Sequence, residues 1–109
     1  MIETFAALAE PNRLRIVELL RAGARPVGEI GEKLHLPQPQ VSKHLRVLKD
    51  AGLVDVEVRA QQRLYELRPE PLRELGEWLE RFRAILDARF DRLDDYLEHM
   101  KKTRGRTKK

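Results

Sequence analysis

Gln38, Gln40, Ser42, Lys43, Arg46 and Lys49 share the stretch PQPQVSKHLRVLKDAGLV, residues 37–54. With about 100° of turn per residue and Val41 set at zero, Leu45 and Leu48 fall within roughly 40° of it, on one helical side. Ser42, Lys43, Arg46, Lys49 and Asp50 fall on the other. A glutamine amide sets a donor beside an acceptor, the pair that matches the major-groove edge of adenine. A serine hydroxyl serves phosphate or base, and Lys and Arg reach guanine or phosphate. Farther along, Arg59, Gln61, Gln62 and Arg63 form a second polar group, suited to a minor groove or its phosphates. Such residues recognise a polyanion with readable edges; they do not make or break bonds.

The rest of the inventory excludes other chemistry. The 109 residues contain no cysteine, which removes disulfides, thiolate catalysis and cysteine-held metals. No nucleophile, base and orienting group stand together, and no enzyme is expected. GEIGEK has two glycines, but it lies within a two-turn helix and follows no strand, so it is not a nucleotide loop. His44 sits about 60° from Val41 on the helical wheel, at the flank of the buried side, which favours packing between helices over a phosphate contact. His35 reads as a solvated turn residue, and Trp78 as a packing residue. The N-terminus lacks the pattern of a secretory signal, and no apolar run reaches the length of a membrane span. A cytoplasmic protein without a membrane role is expected.

The elements that position these residues follow from spacing. Ile2, Phe5, Leu8 and Ala9 predict a short first helix. Pro11 suits the first turn of a second, expected to bury Leu14, Val17 and Leu20 beside Ile16 and to end at Gly23. Val27, Ile30 and Leu34 share a face of a third helix. The fourth spans 38–51 and stops at Gly52. LVDVEVR and RLYELR then alternate as two antiparallel strands. From Pro71 to about Lys102 the pattern is helical without a break. Its apolar positions run Leu72, Leu75, Leu79, Phe82, Leu86, Phe90, Leu93, Leu97 and Met100. The fold class is therefore mainly α with a small β-hairpin: a winged helix-turn-helix of four helices, two strands and one long helix. A stripe this long exceeds what one small domain can cover. The chain is expected to be dimeric through its terminal helices, with Phe5, Leu79, Phe82, Leu86, Phe90, Leu93 and Leu97 in the contact. Residues 1–100 make one domain, and 101–109 a basic, disordered tail.

Charge agrees with this division. The net of +4 arises in the tail KKTRGRTKK, because residues 1–100 hold 16 basic against 18 acidic side chains. Residues 33–63 carry a local net of +3, and residues 70–100 a net of −4. The positive field coincides with the fourth helix. The tail itself suits a nonspecific electrostatic contribution to binding a polyanion.

FAALAEPNRLRIVELLRAG, followed by VGEIGEKLHLPQPQVSKHLRVLKDAGLV, resembles the arsenic-repressor (ArsR/SmtB) family of winged-helix regulators, from about Phe5 to Pro69. The resemblance implies a homodimeric transcriptional repressor bound to a near-palindromic, inverted-repeat operator in double-stranded DNA. Gln38, Gln40, Ser42 and Lys43 match DNA-contacting positions, and Arg46, Arg59 and Arg63 complete the expected DNA-binding set. Members that sense arsenic or cadmium carry Cys-x-Cys in the third helix, where Pro26 and Gly28 stand here. Zinc and nickel sensors carry an Asp-x-His set on the last helix, where this chain has His99 among Asp91, Asp94, Asp95 and Glu98. The likeness is to members without a known metal site, including autorepressors in the style of the sporulation delay regulator. No metal and no cofactor are expected, and an effector is left unidentified. RAQQR lacks the glycine many members have, which predicts a wider wing turn. Two alternatives stay open: a winged-helix module that binds a protein partner or DNA architecturally, and a metal-responsive repressor using His99 and Asp95.

Overall fold

The computed structural model describes residues 1–107, with side chains through Lys101. The chain forms two compact units, Met1–Leu75 and the segment from Gly76 onward. The first holds helices α1 (Ile2–Leu8), α2 (Pro11–Leu20), α3 (Val27–Leu34) and α4 (Gln38–Asp50). It also holds strands β1 (Arg25–Pro26), β2 (Val54–Arg59) and β3 (Gln62–Leu67). Helix α5 (Pro69–Glu80) leads into the second unit, where α6 runs Arg83–Thr107.

The core of the first unit is aliphatic. Ile16, Ile30, Val41, Leu45, Leu48 and Leu53 are fully buried, with Val17, Leu20 and Val54 beside them. The α2 pattern holds for Ile16, Val17 and Leu20 but not for Leu14, which is 47% exposed. The buried stripe of α2 is centred on Ile16, Val17 and Leu20, and Leu14 lies at its edge. Helix α1 likewise turns inward through Thr4 and Ala7, leaving Ile2 and Phe5 outward.

Two arginines of α2 tie helix ends together. Arg13 Nε donates to the Ala7 carbonyl at 2.6 Å, at the end of α1, and Arg15 donates to the Leu34 carbonyl at 3.0 Å, at the end of α3. Cations at helix C-termini satisfy orphan carbonyls and oppose the helix dipole. The arginines of PNRLRIVELL therefore serve the scaffold. Glu10 caps α2 by accepting from the Arg13 amide at 2.8 Å.

The junction between α3 and α4 is a tight turn. His35 takes a left-handed conformation, φ 56°, and the Leu36 amide donates back to the Gly31 carbonyl at 3.0 Å. That closes α3 in the manner of a Schellman cap.

Three features depart from the sequence expectation. The sheet has three strands in the order β1-β3-β2, because Arg25 and Pro26 pair with Tyr65 and Leu64. A two-residue strand containing proline leaves no alternation to read. The terminal helical run is interrupted at Arg81–Phe82. There the amides of Arg81 and Phe82 bond to Trp78 and Leu79, three residues back, at 3.2 and 3.0 Å. This is a tightened 3₁₀-type end to α5, and periodicity does not register it because the apolar spacing continues through it. Finally, the backbone stays helical to Thr107 instead of giving way at 101. Lys and Arg are good helix formers and suit a helix C-terminus. Residues 108–109, and the side chains from 102 on, lie outside the described residues.

In the second unit, Trp78 and Phe82 meet edge to face, their ring centroids 4.9 Å apart. Arg83 pairs with Glu80 at 3.1 Å and Asp87 at 3.6 Å, and these carboxylates hold its guanidinium above the usual arginine range. Among the described residues, no helix is long and apolar enough to cross a membrane.

Candidate nucleic-acid interface

Helix α4 is anchored from beneath by Val41, Leu45 and Leu48, each at 0% exposure. At about 25–30 cal/mol per Å² of buried apolar surface, three such side chains contribute several kcal/mol to holding the helix in place. Its opposite side carries Gln38, Gln40, Ser42, Lys43, Arg46 and Lys49, all exposed. That polar side is divided. Gln38, Ser42, Arg46, Lys49 and Asp50 line a groove of about 500 Å³ together with Val27, Arg63 and Tyr65. Gln40 and Lys43 line a smaller hollow of about 300 Å³ on the α2 side, with Asn12, Arg13, His44 and Val47.

The hairpin sorts its own residues by register. Val54 pairs with Leu67, Val56 with Tyr65 and Val58 with Arg63, while Asp55 pairs with Glu66 and Arg59 with Gln62. Directly opposed residues in an antiparallel pair share a face. Val54, Val56, Val58, Arg63, Tyr65 and Leu67 therefore share one face, and Arg59 lies on the other, where it pairs with Glu57 at 3.1 Å. The expected DNA-binding set is thus partly assembled. Gln38, Ser42, Arg46 and Arg63 come to one groove, Gln40 and Lys43 flank α2, and Arg59 is on the reverse face of the wing. Tyr65 was missed as a groove residue, although it stands two residues from Arg63 and the strand period of two would have found it.

The wing turn is narrower than expected. Arg59 and Gln62 are paired, so only Ala60 and Gln61 form the loop, and Ala60 takes φ 55° in place of a glycine.

Electrostatics separate these cations from the ion-paired arginines of the chain. Among the described residues, no carboxylate lies within 4.0 Å of Lys43, Arg46, Lys49 or Arg63. Arg21, Arg25 and Arg59 each have one, and Arg68 and Arg83 each have two. Four unpaired cations around α4 leave a positive field directed at solvent. His44 does pack inward: its Nδ1 lies 3.7 Å from Glu10 Oε2, joining α4 to the cap of α2. His35 is exposed at its turn. Among the described residues, no three His, Asp or Glu side chains group so as to hold a metal ion. The expected dimer residues Leu79, Phe82, Leu86, Phe90, Leu93 and Leu97 are each between 40% and 60% exposed.

A helix pair joined by a tight turn, with a hairpin folded beside the second helix, defines a winged helix-turn-helix protein. Comparison with known proteins narrows this. A family model described as a helix-turn-helix domain matches residues 8–57. The repressor SmtB of Mycobacterium tuberculosis is 48% identical over 65 residues, covering 60% of this chain. The chain spans about half, 48%, of that relative's length. The transcriptional repressor SdpR of Bacillus subtilis is 30% identical over 82 residues, 75% of this chain and 91% of SdpR. Among solved structures, a "possible transcriptional regulator for arsenical resistance" superposes with TM-score 0.67 at 31% identity, covering 80% of this chain and 97% of its own. The homodimeric winged helix-turn-helix DNA-binding domain of Mb0332 from Mycobacterium bovis gives 0.64 at 28% identity, covering 72% and 73%. The chain belongs to the ArsR/SmtB family of winged helix-turn-helix transcriptional regulators.

Proposed function

We propose that the protein is a homodimeric transcriptional repressor, cytoplasmic, that binds a near-palindromic DNA operator through helix α4 and the 59–63 wing. The observation that carries this reading is the polar side of α4, where two amides, a hydroxyl and three cations project from a helix whose other side is fully buried. A helix held this way fits a major groove with its N-terminal residues at base edges. On this reading Gln38, Gln40 and Ser42 read bases, Lys43 and Arg46 serve bases or backbone, and the wing arginines serve nearby backbone phosphates. Relatives named as repressors, and a homodimeric structural neighbour, support both halves of the proposal.

A protein-docking face would carry exposed aromatics or Met in place of these amides, and the groove beside α4 has only Tyr65 of that kind. The test is selection of genomic DNA fragments by the purified protein, followed by affinity measurements on the enriched site. An inverted repeat is expected. Lys43→Ala and Ser42→Ala are each expected to weaken binding to it by about 1–3 kcal/mol at most. Unchanged affinity in the double variant would remove α4 from the recognition role.

A further inference from the structure

We propose that Arg63 holds the DNA backbone beside the recognition helix, and that it and Arg46 grip the same phosphate, or adjacent phosphates, of one strand. The inference rests on the DNA-binding reading and adds a site within it, the groove between α4 and β3. Sequence alone puts Arg63 with Arg59 at the wing, against the minor groove. Strand register separates them. Arg63 opposes Val58, on the face that continues through Tyr65 and Leu67 toward the core, and Arg59 opposes Gln62 on the other face. Residues on opposite faces of a two-stranded ribbon cannot serve one groove in the same way.

Arg63 lines the α4 groove with Ser42, Arg46 and Lys49, and it also lines the adjoining hollow of about 470 Å³ that holds Gln61 and Gln62 of the wing. It therefore stands where helix and wing meet. Neither Arg46 nor Arg63 has a carboxylate partner among the described residues, and Asp50 is the groove's one acid. Unpaired guanidiniums sharing a polar concavity repel one another until an anion enters, and guanidinium geometry matches phosphate oxygens. The polar edge from Gln38 to Lys49 extends about 16 Å along the helix. That length suits a run of backbone phosphates better than one small anion, so the ligand is the phosphodiester of DNA.

The test scans single neutral methylphosphonate linkages through the selected operator, with wild type, Arg46→Gln, Arg63→Gln and the double variant. Both side chains are exposed, and matching thermal melts would show that the variants fold. Wild type is expected to lose about tenfold in affinity at one or two adjacent linkages beside the α4 contact. Arg46→Gln and Arg63→Gln should each become insensitive there, and each should reduce the salt slope by about one. An Arg63 footprint on the opposite strand across the minor groove, or no linkage whose effect Arg63→Gln removes, overturns the proposal. Inorganic phosphate titrated at constant ionic strength and followed by NMR is expected to give no saturable shift. A saturable shift abolished by Arg63→Gln would make this a free-anion site and overturn the backbone assignment. Failure of wild type to select any DNA would instead remove the reading beneath it, and this proposal with it.

Discussion

Ala60 turns the wing at a φ of 55°, in a region that costs an L-residue roughly 1–2 kcal/mol. A positive φ at the first central residue alone is the II′ pattern, which prefers glycine there. Ala60→Gly relieves that cost but gives the unfolded chain more freedom, an opposing effect of about 0.5–1 kcal/mol. The balance predicts a variant up to about 1 kcal/mol more stable. Its denaturation midpoint should rise at unchanged m-value; a lower midpoint would show that the alanine methyl contributes packing worth more than the strain. The same residue shows why the wing was misread from sequence. Absence of glycine argues for a wide loop only when no other residue accepts the strain, and here the Arg59–Gln62 pairing imposes it.

Helices α3 and α4 and their turn behave as one element, and Gly31 is its tightest point. A Cβ placed there would lie 2.9 Å from the Leu36 carbonyl oxygen, which is backbone and cannot step aside. In an open helix Gly→Ala stabilises by roughly 1 kcal/mol. Here the clash reverses the sign, and Gly31→Ala is expected to destabilise by about 1–3 kcal/mol, read by thermal or chemical unfolding. A more stable variant would mean that the turn relaxes without loss.

Element by element, legibility tracked periodicity. The buried row of α4 and the alternation of β2 and β3 were readable because burial on one side imposes a period of 3.6 or 2. The cross-strand register, which moves Arg63 away from Arg59, was not. It depends on the length of a turn that no residue type announced. Strand β1 and the break at Arg81–Phe82 were silent for a related reason, since neither disturbs an apolar spacing. The exposed Leu14 shows the limit of wheel geometry, which ranks the sides of a helix but cannot place the edge of its neighbour.

For the whole molecule, the decisive question is what covers the apolar side of α6. Phe90 at 60% exposure and Leu93 at 51% leave more apolar surface open than a lone helix in water tolerates. With a second copy as the cover, Leu86→Asp combined with Phe90→Asp should raise the dimer dissociation constant at least about tenfold, the equivalent of 1.4 kcal/mol. Sedimentation equilibrium checks this, and an unchanged mass distribution would assign the cover elsewhere. The first unit's aliphatic core does not include these residues, so its melting should persist in the variant.

With a second copy as the cover of that open face, the protein's behaviour would depend on how many copies are present. Where a structure is completed only by association, stability and activity follow mass action. While single chains dominate, doubling their number raises paired chains about fourfold. Occupancy of a two-part site would then rise with a threshold, nearly silent at low copy number and steep above it. For the proposed repressor, the strength of that pairing would in this way set the dose at which a gene is switched off.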